Sequence, residues 1–142
     1  MQKVSATIHQ DHYKTIIQSD TNSIFADEPV SMGGTDKGFS PDELLASALA
    51  ACTAITLRMY ADRKNYPLEK IEVTVSVEWD KVNNKTVMQK SLHFTGNLQP
   101  EELQRLRHIA DKCPTHKVLL NPIEILTDIV CKTVFLSTNV IL

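Results

Sequence analysis

A chain of 142 residues, 42% hydrophobic and 23% charged, is long enough to bury one core and too short for two, and its composition is that of an ordinary globular domain. Lys plus Arg number 15 against 17 Asp plus Glu, for a net charge of -2, and the basic residues form no stripe, which argues against nucleic acid or an anionic membrane as the main partner. The opening MQKVSATIHQDHYK lacks the apolar stretch of a secretory signal and no run reads as a membrane span, so a cytoplasmic protein is expected.

Residues 4–24 alternate β-branched and polar residues in VSATI and YKTIIQS, with HQDH between them. This predicts a hairpin, with a third strand at SIFA. DEPVSMGGTDKGFSP follows as a loop that holds Gly33, Gly34 and Gly38, residues that permit positive φ and close backbone approach. It lacks the GxGxxG or GxxxxGK[ST] spacing of a phosphate cradle.

Ser40, Pro41 and Glu43 spell a helix start, with an S-x-x-E capping box and proline at the first helical position. Asp42 and Glu43 stand at the positive end of that helix's dipole. From Leu44 to Thr56 there is no charge, so the first half of the helix is expected to be buried all round. So small a chain has little with which to cover it, and a dimer interface would do so. Arg63, Lys64 and NYP end the helix.

IEVTVSVEWD alternates as a half-buried strand, KVNNK reads as a turn, and TVMQKSLHFTGNL as the returning strand of a hairpin. Pro100, Glu101 and Glu102 open a second helix with Leu103, Leu106 and Ala110 on one face. IEILTDIVCKTVFL reads as a final strand, with 134–142 continuing beyond it. Antiparallel strands with two inserted helices indicate an α+β fold.

Three cysteines, Cys52, Cys113 and Cys131, include no close pair of the zinc or thioredoxin kind, and in a reducing compartment they are free or redox-active thiols. Cys52 sits among Ala48, Ala51 and Ile55, neighbours that favour a buried, inert thiol of raised pKa. At about 1.5 Å per residue it lies about 15 Å from the helix start, beyond reach of the dipole. Cys113 follows Lys112 and precedes Pro114, with His116 and Lys117 close behind, surroundings that favour thiolate. A Cys113 and His116 hydrolase dyad, or a metal site of Cys52, Cys113 and His116, has no diagnostic spacing behind it. No metal or cofactor is expected.

GGTDKGFSPDELLASALAACTAITLRMYA, followed downstream by CPTHKVL, resembles the OsmC/Ohr family of osmotically induced and organic-hydroperoxide-resistance proteins. The resemblance runs over roughly residues 4–131 of what is expected to be a single domain, 1–142, with 132–142 as a C-terminal extension. It implies an OsmC-like fold, an intertwined homodimer with antiparallel sheets wrapped around a long buried helix and active sites at the subunit interface. It further implies a thiol-dependent peroxidase in which Cys52 attacks an organic hydroperoxide and Cys113 resolves the sulfenic acid as a disulfide. A thiol or dithiol reductant then reopens the disulfide.

By the same resemblance Asp42 is the family's acid and Glu43 its neighbour. The family's peroxidases bridge acid and sulfur with an arginine placed before this helix, and this sequence has none before Arg58. Lys37 is the nearest substitute and Lys14 another, whereas Arg58 and Arg63 lie on the cysteine's own helix. The alternative is a noncatalytic protein of the same fold that binds a small apolar or thiol-containing ligand.

Overall fold

The computed structural model describes residues 1–132. Its N-terminal sheet is an antiparallel meander of β1 (Ser5–Thr7), β2 (Thr15–Gln18) and β3 (Ser23–Ala26), with Ile16 opposite Phe25 and Ile17 opposite Ile24. The expected hairpin and third strand are thus present. A loop with one 3-10 turn, Val30–Met32, leads to α1 (Pro41–Arg63).

The long helix begins where its capping residues place it. Ser40 Oγ accepts from the Glu43 amide and Glu43 Oε2 accepts from the Ser40 amide at 2.8 Å, with Pro41 in the first turn. β4 (Leu68–Asp80) and β5 (Lys85–Gly96) then form a long antiparallel hairpin. Ile71, Val73, Val75 and Val77 are half-buried while Glu72, Thr74, Ser76 and Glu78 are exposed, the two-residue period of a sheet with one wet face. α2 (Pro100–Ala110) and α3 (Pro114–Leu120) follow.

The core lies where α1, the hairpin and α2 meet. Leu57, Tyr60, Ala61, Leu68, Leu106 and Ala110 form one buried cluster, with Ile71, Leu92 and Phe94 packed against it. Leu106 and Ala110 bear out the expected face of α2, whereas Leu103 is exposed.

One expectation, that so small a chain cannot cover α1 by itself, holds, and two others need correction. α1 is not enclosed on all sides by its own chain: Leu49, Thr53 and Leu57 are buried, but Leu45, Ile55 and Met59 face outward, Ile55 at 55% and Met59 at 68% exposure. One two-stranded sheet and two short helices cover only one side of an apolar helix 23 residues long. An 18-residue window of α1 averages a mean hydropathy of 1.5, so this helix, against the expectation that no run does so, is long and apolar enough by composition to cross a membrane.

The expected final strand is also not formed among the described residues. From 122 to 132 the chain forms no regular element and pairs with no strand, with Ile123, Ile125, Leu126, Ile129 and Val130 exposed. A β-like sequence becomes a strand only beside an open edge, and none is paired with it here. The remainder of that predicted strand and the extension beyond it lie outside the described residues.

Candidate thiol site

Two helices bring two cysteines together. Cys52 lies midway along α1, and α3 packs against α1. Cys113 is the N-cap of α3, where Pro114 supplies the first helical residue and has no amide to satisfy. Its Sγ accepts from the His116 amide at 3.4 Å. The cap holds the Cys113 side chain inward, at 0% exposure, where it lowers the pKa of the Cys52 thiol on the facing helix. Cys52 is half-buried, Cys113 buried and Cys131 exposed, all three as free thiols.

Burial is the largest influence on the Cys52 thiol and pushes its pKa up. Hydrogen bonds from Cys113, from the Thr115 side chain and backbone, and from Thr56 outweigh it, so the net displacement is downward from the ordinary thiol value. The neighbours along α1 suggest an inert, raised thiol. The opposite result arises because the deciding groups sit on α3, apart from Thr56, which is one turn along the same helix. A thiolate gains from each donor aimed at it.

The other expected site residues lie elsewhere in the chain. Asp42 is exposed in the first turn of α1, about 15 Å along the axis from Cys52 at about 1.5 Å per residue. Glu43 is engaged in the capping box. Lys37 is exposed, and its amide donates to Asp27 Oδ2 at 3.2 Å. Lys14 lies over the Phe25 ring, 4.0 Å from its centroid. Arg58 reaches the Leu68 carbonyl at 2.8 Å and Asp62 at 3.2 Å, and Arg63 lies over Tyr60. The contributions that lower the Cys52 thiol are therefore hydrogen bonds from neutral groups.

The two minor constellations do not assemble. His116 meets Cys113 through its backbone amide, while its ring Nδ1 faces Lys90 Nζ at 3.4 Å. Among the described residues no three His, Cys, Asp or Glu side chains gather as a metal site would require.

Sequence reasoning missed four residues. Thr115 and Thr56 have no distinguishing local pattern. Lys90 does have one, because it stands in the inward row Met88, Lys90, Leu92, Phe94 of β5, where strict alternation calls for an apolar residue. Asp27 is the fourth. At 2% exposure it accepts from the amides of Tyr13, Glu28, Thr35 and Lys37 and from the Thr35 hydroxyl, which folds the loop before α1 about one carboxylate. Gly34 and Gly38 make that loop feasible, since a Cβ at either would collide with the carbonyls of Glu28 and Phe25.

A cleft of about 540 Å³ opens nearby between α1, β5 and α3. Leu45, Leu49, Val87, Met88 and Leu119 form its apolar walls, and His116 and Lys85 supply polar groups.

The sequence matches the family described as OsmC-like protein over residues 34–128. That stretch carries the capped helix, both cysteines and the hairpin between them. The chain belongs to the OsmC-like family. Solved OsmC-like structures share its fold. The OsmC-like protein of Mycoplasma pneumoniae is 21% identical with a TM-score of 0.70, covering 84% of this chain and 86% of its own. The organic hydroperoxide resistance protein OhrB of Bacillus subtilis is 26% identical with a TM-score of 0.59, over 84% and 90%. An organic hydroperoxide resistance protein from Elizabethkingia anophelis, with thiocyanate bound, is 23% identical with a TM-score of 0.63, over 87% and 91%. No curated protein sequence matches the chain.

Proposed function

We propose that this OsmC-like protein is a thiol-dependent peroxidase that reduces organic hydroperoxides with Cys52 and Cys113. The observation that carries the reading is that two packed helices set a half-buried thiol, Cys52, of lowered pKa beside the N-cap of α3, where the fully buried Cys113 thiol is among the groups that lower it. The Cys52 thiolate attacks one peroxide oxygen, the O–O bond breaks, and the alkoxide leaves as alcohol after taking a proton. The resulting sulfenic acid condenses with the Cys113 thiol, releasing water and forming the disulfide. A thiol or dithiol reductant restores both thiols by exchange.

The apolar cleft beside His116 suits the carbon skeleton of an organic hydroperoxide better than it suits hydrogen peroxide. A homodimer covering Leu45, Ile55 and Met59 would enclose the site. It would also allow the partner to present Asp42 and Lys37, which act here as the proposed acid and cation, with Glu43 supporting the helix start. A reducing cytoplasm fits free thiols at all three cysteines.

Titration of the reduced protein with cumene hydroperoxide, followed by alkylation and peptide mass spectrometry, tests this. One Cys52–Cys113 disulfide and one cumyl alcohol per equivalent are expected. If both cysteines remain thiols while peroxide persists, the peroxidase reading fails. The same cleft supports the second reading, a noncatalytic binder of a small apolar ligand, which predicts saturable binding of that ligand with Cys52 unreactive.

A further inference from the structure

Lys90 is the least expected residue of the hairpin. It points inward from β5 opposite Val75, between Met88 and Leu92 in the half-buried row, and its side chain is only 11% exposed. An ammonium in such surroundings is costly unless every donor is engaged. Lysine has three donors, and three acceptors face Nζ: the Ala110 carbonyl at 2.8 Å, Asp111 Oδ1 at 3.4 Å and His116 Nδ1 at 3.4 Å.

All three acceptors belong to one short stretch. Ala110 is the last residue of α2, Asp111 its C-cap, and His116 lies in the first turn of α3. Cys113 stands between them. The carbonyl at the end of a helix is unpaired and carries partial negative charge, so a cation is favoured there. Across the stretch, His116 donates its amide to Cys113 Sγ and receives Lys90 on its ring.

We propose that Lys90 is a positioning residue that pins the α2–α3 turn to the hairpin at both ends and thereby holds the Cys113 sulfur against Cys52. It touches neither sulfur and acts through the turn. The proposal rests on reading Cys52 and Cys113 as a redox pair. What Lys90 controls is the effective concentration of Cys113 toward Cys52, and that quantity is measurable without peroxide. In glutathione buffers the Cys52 thiolate attacks glutathione disulfide and expels one glutathione. Cys113 then attacks the mixed disulfide at Cys52 and expels the second, so two protein thiols are oxidised and one glutathione disulfide is reduced.

The test compares wild type, Lys90→Met and, as a control, Lys70→Met, an exposed lysine on β4. Each is equilibrated in a series of glutathione buffers, quenched and resolved by peptide mass spectrometry. Lys90→Met is expected to lower the Cys52–Cys113 disulfide equilibrium constant about tenfold or more, the effect of losing charge-assisted hydrogen bonds, with the control within about twofold of wild type. Far-UV circular dichroism of the reduced Lys90→Met protein should match that of wild type, which a general loss of structure would not produce.

An equilibrium constant in Lys90→Met equal to that of wild type overturns the proposal. If Lys90→Met does not fold, Asp111→Asn, at an exposed acceptor, reads the same quantity: a several-fold drop is expected, and no change overturns the assignment. Absence of any Cys52–Cys113 disulfide in wild type would instead overturn the redox-pair reading itself.

Discussion

Replacing Thr115 by valine removes one hydroxyl of nearly the same volume from beside Cys52. The Thr115 side chain and backbone both lower the Cys52 thiol, together with Cys113 and Thr56. Valine deletes the side-chain donor and leaves the other three. A hydrogen bond to a charged group is worth about 1.5 kcal/mol at the lower end of its range, and about 1.4 kcal/mol is a tenfold change in an equilibrium constant. Below the titration midpoint the thiolate fraction of Cys52, and its alkylation rate with it, should fall about tenfold by the same relation.

The sign follows from the lost donor: the thiolate is destabilised, the thiol is not, and the titration midpoint moves to higher pH. The assay is the rate of iodoacetamide modification at the Cys52 peptide from pH 5 to 10, in the reduced protein, with Cys131 read separately by mass. Wild type and Thr115→Val should converge at high pH, where both are thiolate, and Thr115→Ser should restore most of the neutral-pH rate. A drop of the same size at every pH would mean altered access in place of altered ionisation, and an unchanged profile would mean that Thr115 does not reach the sulfur. Either result refutes the reasoning.

The hydrogen bonds that gather the loop at Asp27 hold its carboxyl well below the ordinary carboxylate value. A depressed folded pKa contributes stability that is full above the unfolded pKa of about 3.9 and is lost as the pH falls through the lower folded value. Urea midpoints taken from pH 6 to pH 2.5 should therefore decline more steeply for wild type than for Asp27→Asn, and parallel declines would contradict the assignment. Leu106, at 0% exposure in the core cluster, is expected to cost about 3 kcal/mol when cut to alanine. A urea-denaturation loss below about 1 kcal/mol would show that the site collapses onto the gap or is less tightly packed than described.

The secondary structure was legible wherever local rules suffice. The capping box at Ser40 and Glu43 marks the start of α1, the alternation from Ile71 to Val77 marks β4, and Pro100 with the two glutamates after it marks α2, because caps, periodicity and proline act within a few residues of themselves. The segment 122–132 was misread for the complementary reason: its β-branched residues give a strand preference, but a strand exists only where another backbone offers hydrogen bonds.

Family membership was also legible, since the ordered pair of an S-P-D-E helix start with a cysteine in that helix and a distant Cys-Pro is written in the chain itself. The ionisation of Cys52 was not. Along α1 its neighbours are apolar, and the groups that lower its pKa arrive mainly from α3, some sixty residues away along the chain. The role of Lys90 was hidden similarly, as an odd charge in an apolar row whose partners lie on another element. By itself the sequence determined the two sheets, the two longer helices, the family and the positions of the two cysteines. Only the tertiary structure decided the direction in which the Cys52 thiol is displaced, because the groups that reach a half-buried sulfur depend on the packing of helices and not on spacing along the chain.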